Sequence, residues 1–223
     1  FLYSEKNMLA EATDVLEDLI LYYPKKQYWV QLSFMFSEQN QEPKQLAAMD
    51  TAYVQDMLEK DGEYRNMASL LLHADVPYKA SQVLKRGFDE EIVEDTSKNW
   101  ELYAGSLRQA QEVEDAIPAM AKAAEMSDSG DLYARLGSIY LDADNNQQAI
   151  EAINKGLQRG GVKRPDNARL VLGMAYFNTK QYSKAKEAFR AAGRDKRSKK
   201  YADQWISYMN SELDRQKKLS EDI

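Results

Sequence analysis

His73 is the only histidine in the chain, and Ser69 lies four residues before it. On a helix the two would share a face, as a nucleophile and its base require. No further residue is placed to orient the imidazole, so the pair lacks what a triad needs. Cysteine is absent, and one histidine cannot build a Cys/His metal cluster alone. The stretch "FDEEIVEDTS" gathers Asp89, Glu90, Glu91, Glu94 and Asp95. It lacks the glycine and the alternation of a calcium loop, and reads as a solvated acidic connector. "GGVKRPD" holds Lys163 without the Gly-Lys-Ser/Thr that opens a phosphate-binding helix. The basic run Arg190, Arg194, Lys196, Arg197, Lys199 and Lys200 could attract an anion. The chain as a whole is acidic and no aromatics interleave the run, so no nucleic acid is expected there. It reads as a solvated connector, with docking to an acidic protein surface or a membrane as the alternative. Together these stretches predict no catalysis, no cofactor and no metal site.

The bounds agree with that. The chain has 223 residues, 43% hydrophobic and 30% charged, with a net charge of −6. That is enough apolar material for a buried core and enough charge for solubility. Ten Gly and five Pro are too few for a β-sandwich full of tight turns. Absence of cysteine fits a reducing cytosol, and equally a periplasm where stray thiols are avoided. No apolar run approaches the roughly 20 residues of a membrane span, so no membrane insertion is expected in this fragment. The chain opens on Phe1 and reads as trimmed, so a missing targeting segment says nothing about where the full-length protein lives. Residues 1–130 hold 12 Lys/Arg against 24 Asp/Glu, and residues 131–223 hold 18 against 12. In an elongated molecule this split makes a dipole.

The order that would position such residues is a repeat. Leu136, Gly137, Tyr140, Ala149 and Ile153 recur as Leu172, Gly173, Tyr176, Ala185 and Phe189. Upstream, Trp100, Tyr103, Ala104, Leu107, Ala116, Met120 and Ala123 fall on the same frame. So do Tyr64, Met67, Ala68, Leu71, Ala80, Leu84 and Gly87, and then Trp29, Leu32, Ser33, Phe36, Met49 and Ala52. In that last unit Gln45 stands where the first small residue of the second helix belongs. Tyr3, Ala12, Leu16, Leu19 and Pro24 supply part of an earlier unit. The small residue of the first helix falls at 33, 68, 104, 137 and 173.

A period near 34 with this pattern resembles the tetratricopeptide repeat, a helix–turn–helix unit. The resemblance implies an all-α, right-handed superhelical solenoid of antiparallel helix pairs along residues 1–223. The first repeat is truncated, about 1–25. Further repeats start near 26, 61, 97, 130 and 166, and an apolar-faced capping helix follows at about 199–219. Gly137, Gly173, Ala185 and their equivalents are then points where helices cross closely. Pro77 and Pro118 fall at or near the first turn of second helices, with Asp75 and Asp115 as candidate caps. Pro24 and Pro165 fall between units.

Function in such a stack lies on surfaces. First helices line the concave side, which holds an extended peptide or a partner helix. The frame puts Val30 and Phe34 there, with Arg65, Ser69, Leu72 and His73. Further along come Glu101, Gly105 and Arg108, then Ala134, Ser138 and Leu141, then Leu170, Met174 and Phe177. The last three double as residues that a capping helix would cover. Phe34, Arg65, Ser69, Leu72, His73, Glu101 and Arg108 are the expected contacts for a protein or peptide partner. Chaperone-binding members of the family clamp a terminal carboxylate with Lys and Asn, whereas the matching positions here are Val30, Phe34, Arg65 and Ser69.

"YYPKKQYWVQLSFMF" and "QYSKAKEAFRAAGRDKRSKKYADQWISYMNSE" also resemble a tetratricopeptide protein encoded with gammaproteobacterial TonB systems. That resemblance implies a periplasmic accessory of TonB-ExbB-ExbD energy transduction in iron-siderophore uptake. A cytosolic adaptor or chaperone-like module for an unrelated assembly is the alternative, and a signal peptide ahead of residue 1 would separate the two.

Overall fold

The computed structural model describes residues 8–221, with side chains to residue 219; Tyr3 lies outside the described residues. Twelve α-helices and no strands occur among them. Helix α1 is Leu9–Tyr22. First helices of the repeats are α2 (Lys26–Glu38), α4 (Asp61–His73), α6 (Ser97–Gln109), α8 (Asp131–Asp142) and α10 (Pro165–Asn178). Second helices are α3 (Glu42–Val54), α5 (Pro77–Asp89), α7 (Val113–Glu125), α9 (Asn146–Arg159) and α11 (Tyr182–Ala192). Helix α12 runs Lys196–Glu221. These first helices begin at residues 26, 61, 97, 131 and 165. The helices group into two compact units, residues 1–95 and 96–223.

Each pair is held by the small-residue frame. Ser33, Ala68, Ala104, Gly137 and Gly173 are buried on first helices, and Ala80, Ala116, Ala149 and Ala185 are buried on the second helices of the last four pairs. A Cβ added to Gly173 would stand 2.5–2.9 Å from the ring of Phe189, so the space a side chain would take is already filled by that ring. Gln45 departs from the frame and sits half-buried; its carbonyl accepts from Ser33 Oγ at 3.1 Å.

Every first helix ends in the same turn. Asn40, Asp75, Gln111, Asp144 and Lys180 each take the left-handed conformation, with φ between 56° and 64°. The next residue's N–H then reaches back to close the helix, as in Gln41 to Phe36 O at 2.8 Å and Glu112 to Leu107 O at 2.9 Å. This is the Schellman arrangement that satisfies the last carbonyls of a helix. It corrects the expected caps. Asp75 is the turn residue, and Val76 precedes α5. Asp115 lies inside the first turn of α7, whose N-cap is Glu112. Pro77 does start α5, but Pro118 is interior to α7. There it removes one backbone donor, while buried Ala116, Ala119, Met120 and Ala123 keep the helix packed. Pro165 opens α10 rather than lying between units. The basic run expected as a solvated connector is mostly helical: only residues 193–195 link α11 to α12, which begins at Lys196 rather than near 199.

Candidate protein-interaction surfaces

In unit 1 the first-helix face is made by α2 and α4. Phe34 stands 57% exposed, Val30, Ser69 and Leu72 are half-buried, and His73 is exposed. An isolated exposed phenylalanine is ordinary; with Leu72 and His73 on α4, the first helices of unit 1 carry both apolar and polar accessible groups. Arg65 is half-buried and ion-paired with Asp61 one turn earlier, Nε to Oδ2 at 2.7 Å. His73 Nδ1 donates to the carbonyl of Ser69 at 2.7 Å. The imidazole is therefore held by backbone, and the Ser69 hydroxyl is not its partner. His73 also rims a cleft of about 510 Å³ between the start of α3 and the end of α4, lined by Pro43, Leu46 and Leu70.

In unit 2 the polar residues of this face meet one another. Arg108 of α6 donates from Nε and an Nη to Asp142 of α8, at 2.8 and 2.6 Å. Glu101 of α6 accepts from Arg135 of α8 at 2.7 Å. Both pairs are substantially exposed, and such pairs contribute roughly 0–1 kcal/mol each. They fix the register of neighbouring first helices more than they stabilise them. Gly105 faces open space, Ala134 is buried, and Ser138 and Leu141 are half-buried. Leu170, Met174 and Phe177 lie under α12, in one cluster with Trp205, Ile206 and Met209. The Phe177 ring meets Tyr182, Trp205 and Tyr208 at centroid distances of 5.7, 6.1 and 5.7 Å. Those three residues serve the cap.

The basic run divides in two. Arg190, Arg194, Lys196 and Lys200 are exposed and have no carboxylate partner among the described residues. Lys199 pairs with Asp203 at 3.1 Å. Arg197 binds Asp195 at 2.7 Å and reaches Asp166 at 3.4 Å. Asp166 is 2% exposed; it also accepts from Arg164 at 2.9 and 3.1 Å and from the buried Ser198 hydroxyl at 2.8 Å. Hydrogen bonds from Arg164 above all, then from Ser198, hold its carboxyl well below the usual carboxylate range, against the opposing effect of burial. Part of the run is thus structural. The sequence could not show this, because Asp166 and Ser198 are separated by 32 residues and nothing local links them.

The acidic connector is likewise more than solvated. Glu90 accepts from the Tyr64 hydroxyl at 3.0 Å and from Arg86 at 2.7 Å. Burial, and then this bond, push the Tyr64 phenol up to about 12. Arg86 also binds Asp56 at 2.6 Å. The Glu94 N–H is given to Asp61 at 3.3 Å, and Val93 is buried. Among the described residues, no three His, Cys, Asp or Glu side chains are placed to hold a metal ion, and no helix is long and apolar enough to cross a membrane.

A tetratricopeptide-repeat family model matches residues 130–159 and 167–192, the α8–α9 and α10–α11 pairs. No curated protein sequence matches the chain significantly. Among solved structures it resembles MamA, with 17% identity, a TM-score of 0.64, and 75% of this chain and 89% of that one covered. MamA from Desulfovibrio magneticus RS-1 gives 14% identity and a TM-score of 0.64 over 78% and 96% of the two chains. YrrB, described as a TPR protein with an unusual peptide-binding site, gives 13% identity and a TM-score of 0.63 over 81% and 91%. At these identities the likeness is one of fold.

Proposed function

We propose that this tetratricopeptide-repeat protein is a non-catalytic scaffold that holds a segment of a partner protein on the faces of its first helices. The observation that carries the reading is the unit 1 face. Phe34 is exposed on α2, and α4 carries half-buried Leu72 and exposed His73, so apolar area and a polar group are both open to a partner. A buried aromatic anchor ringed by polar contacts is the usual energetic centre of such an interface. Arg65 and Arg108 would join it only by exchanging Asp61 and Asp142 for the partner. The fold itself suggests protein–protein interaction, and catalysis has no support in the arrangement of His73 and Ser69.

A second reading rests on the four unpaired cations Arg190, Arg194, Lys196 and Lys200. It places an acidic partner at the C-terminal end. Partner captured by crosslinking the full-length protein in its native cell separates the two. Phe34→Ala with Leu72→Ala is expected to weaken binding by tenfold or more. Arg194→Ala with Lys196→Ala and Lys200→Ala is expected to change only the salt dependence. If the second set alone abolishes binding, the first-helix face is not the site.

The resemblance of "QYSKAKEAFRAAGRDKRSKKYADQWISYMNSE" extends the proposal to a periplasmic accessory of a TonB-ExbB-ExbD complex in iron-siderophore uptake. Fractionation of native cells tests it. Recovery with cytosolic markers favours the adaptor of an unrelated assembly instead.

A further inference from the structure

Unit 1 carries an apolar groove that shares no residue with the first-helix face. It has a volume of about 400 Å³. Trp29, Leu32 and Phe36 of α2 form the floor, Ile20 and Leu21 of α1 one wall, and Ala47 of α3 the other. Leu21 is 72% exposed and Ala47 is exposed as well, so both walls are open at the top. The α1 side of the groove is acidic. Helical spacing puts Asp14, Glu17 and Leu21 on one stripe of α1, and Glu17 lines the groove. With Glu11 and Asp18 they give α1 four carboxylates and no Lys or Arg. All four are exposed, and none has an ion pair among the described residues. Opposite them stands one cation, Lys44, which is held over the Phe36 ring at 5.3 Å.

We infer that this groove takes a basic amphipathic helix of a partner protein. Its apolar side chains, spaced i, i+3/i+4 and i+7, would enter between α1 and α3, and lysines or arginines beside that stripe would meet Asp14 and Glu17. A helix fits where an extended segment does not. The walls are side chains of neighbouring helices whose backbones are already hydrogen-bonded, so a strand would find no partners for its N–H and C=O groups. A helix satisfies its own. An acidic helix is excluded by like charge along α1. The inference does not depend on the proposed first-helix site, and either can fail alone.

The probe is a designed 18-residue peptide with leucines at i, i+3/i+4 and i+7 and flanking lysines. Its affinity for the intact chain is read by fluorescence anisotropy at 0.15 M salt. Two control peptides replace the lysines by glutamates, or the leucines by serines. The expected result is saturable binding of the basic amphipathic peptide, weakened at least tenfold in both controls. Asp14→Lys with Glu17→Lys, and separately Ala47→Arg in the exposed wall, are each expected to weaken it at least tenfold while helical content is unchanged. Glu91→Lys, a carboxylate outside the groove, is expected to leave it unaltered. No binding to the intact chain overturns the proposal. So does binding that is indifferent to Ala47→Arg, or that falls equally with Glu91→Lys, since the peptide would then be reading net charge alone.

Discussion

Asp166 is a buried carboxylate that accepts four hydrogen bonds from three residues, Arg164, Arg197 and Ser198, and its depressed pKa makes it a source of pH-dependent stability. Its folded value lies below the unfolded value near 3.9. The stabilisation is therefore fully present above about pH 4 and is lost as pH falls below that. Asp166→Ala leaves the buried Ser198 hydroxyl without its acceptor, and is expected to cost about 1–3 kcal/mol at pH 7. Thermal melts of the two proteins should converge as pH drops toward 2; a constant gap would show that packing, not charge, is responsible. The glycines give a second residue-scale test. A Cβ on Gly156 would stand 2.6 Å from the carbonyl of Gly130 and 2.9 Å from the Ala134 nitrogen, whereas on Gly137 it meets chiefly the Ile153 side chain. A side chain can turn aside; backbone can move only by parting α8 from α9. Gly156→Ala is therefore expected to lower stability by about 1–3 kcal/mol, and by more than Gly137→Ala in the same urea titration. Gly137 and Gly173 were legible as crossing points. Gly156 was missed, though it falls 33 residues after Ala123 and 36 before Ala192, on the frame of small residues that ends each second helix. Gly130, where an added Cβ would meet the Gly156 carbonyl, had no such signal.

At the scale of the elements, the helices were legible and their ends were not. Apolar spacing and small residues put first helices at the right places because those residues bury the same surfaces in every unit. The turns follow the same spacing, at 40, 75, 111, 144 and 180, yet the residues there are Asn, Asp, Gln, Asp and Lys. None is the glycine that advertises a left-handed turn, so backbone geometry repeats where residue type does not. This yields a stabilising prediction. Asn and Asp tolerate that conformation, but Gln111 and Lys180 hold it against steric cost. Gln111→Gly and Lys180→Gly should each raise stability by about 0.5–1 kcal/mol, net of the entropy glycine adds to the unfolded chain. The matching changes at Asn40 and Asp75 should do less. Equal gains at all four in chemical denaturation would refute the steric argument. The candidate first-helix face was legible only as a list of positions. That Arg108 meets Asp142 and Glu101 meets Arg135 depends on the lateral spacing of α6 and α8, which no single repeat encodes.

For the molecule as a whole, the repeat frame runs without interruption from Ala68 to Ala104, while the helices fall into two compact units that divide after Asp95. The connection there, residues 90–96, is the longest between described helices. Its first part is tied to unit 1 through Glu90, Val93 and Glu94. Charge divides at the same place: residues 1–95 carry 9 Lys/Arg against 18 Asp/Glu, and residues 96–223 carry 21 against 18. The apolar clusters centred on Leu136, Ile153 and Phe189 lie wholly within residues 96–223. A fragment of those residues is therefore expected to fold alone, with helical circular dichroism and one cooperative melt.

Its stability should depend on α12. Phe189 is fully buried, and its ring stacks on Trp205 at 5.5 Å with the planes 10° apart. Met209 and Ala202 are buried beside it. A stack of helix pairs needs a terminal element that is apolar inward and polar outward. Ending the fragment at residue 195 would bare Leu170, Phe177 and Phe189 together, a patch of the kind that drives association. The shortened fragment should melt at a lower temperature and aggregate on concentration, while the one ending at 223 remains monodisperse. Trp205→Ala in the longer fragment provides a finer measure, since it removes the stacked ring and leaves the rest of α12 in place. A loss of about 3–5 kcal/mol is expected if Trp205 packs as a core residue. A loss below about 1 kcal/mol would mean that α12 does not cap the stack, and that Phe177 and Phe189 are open to a partner after all.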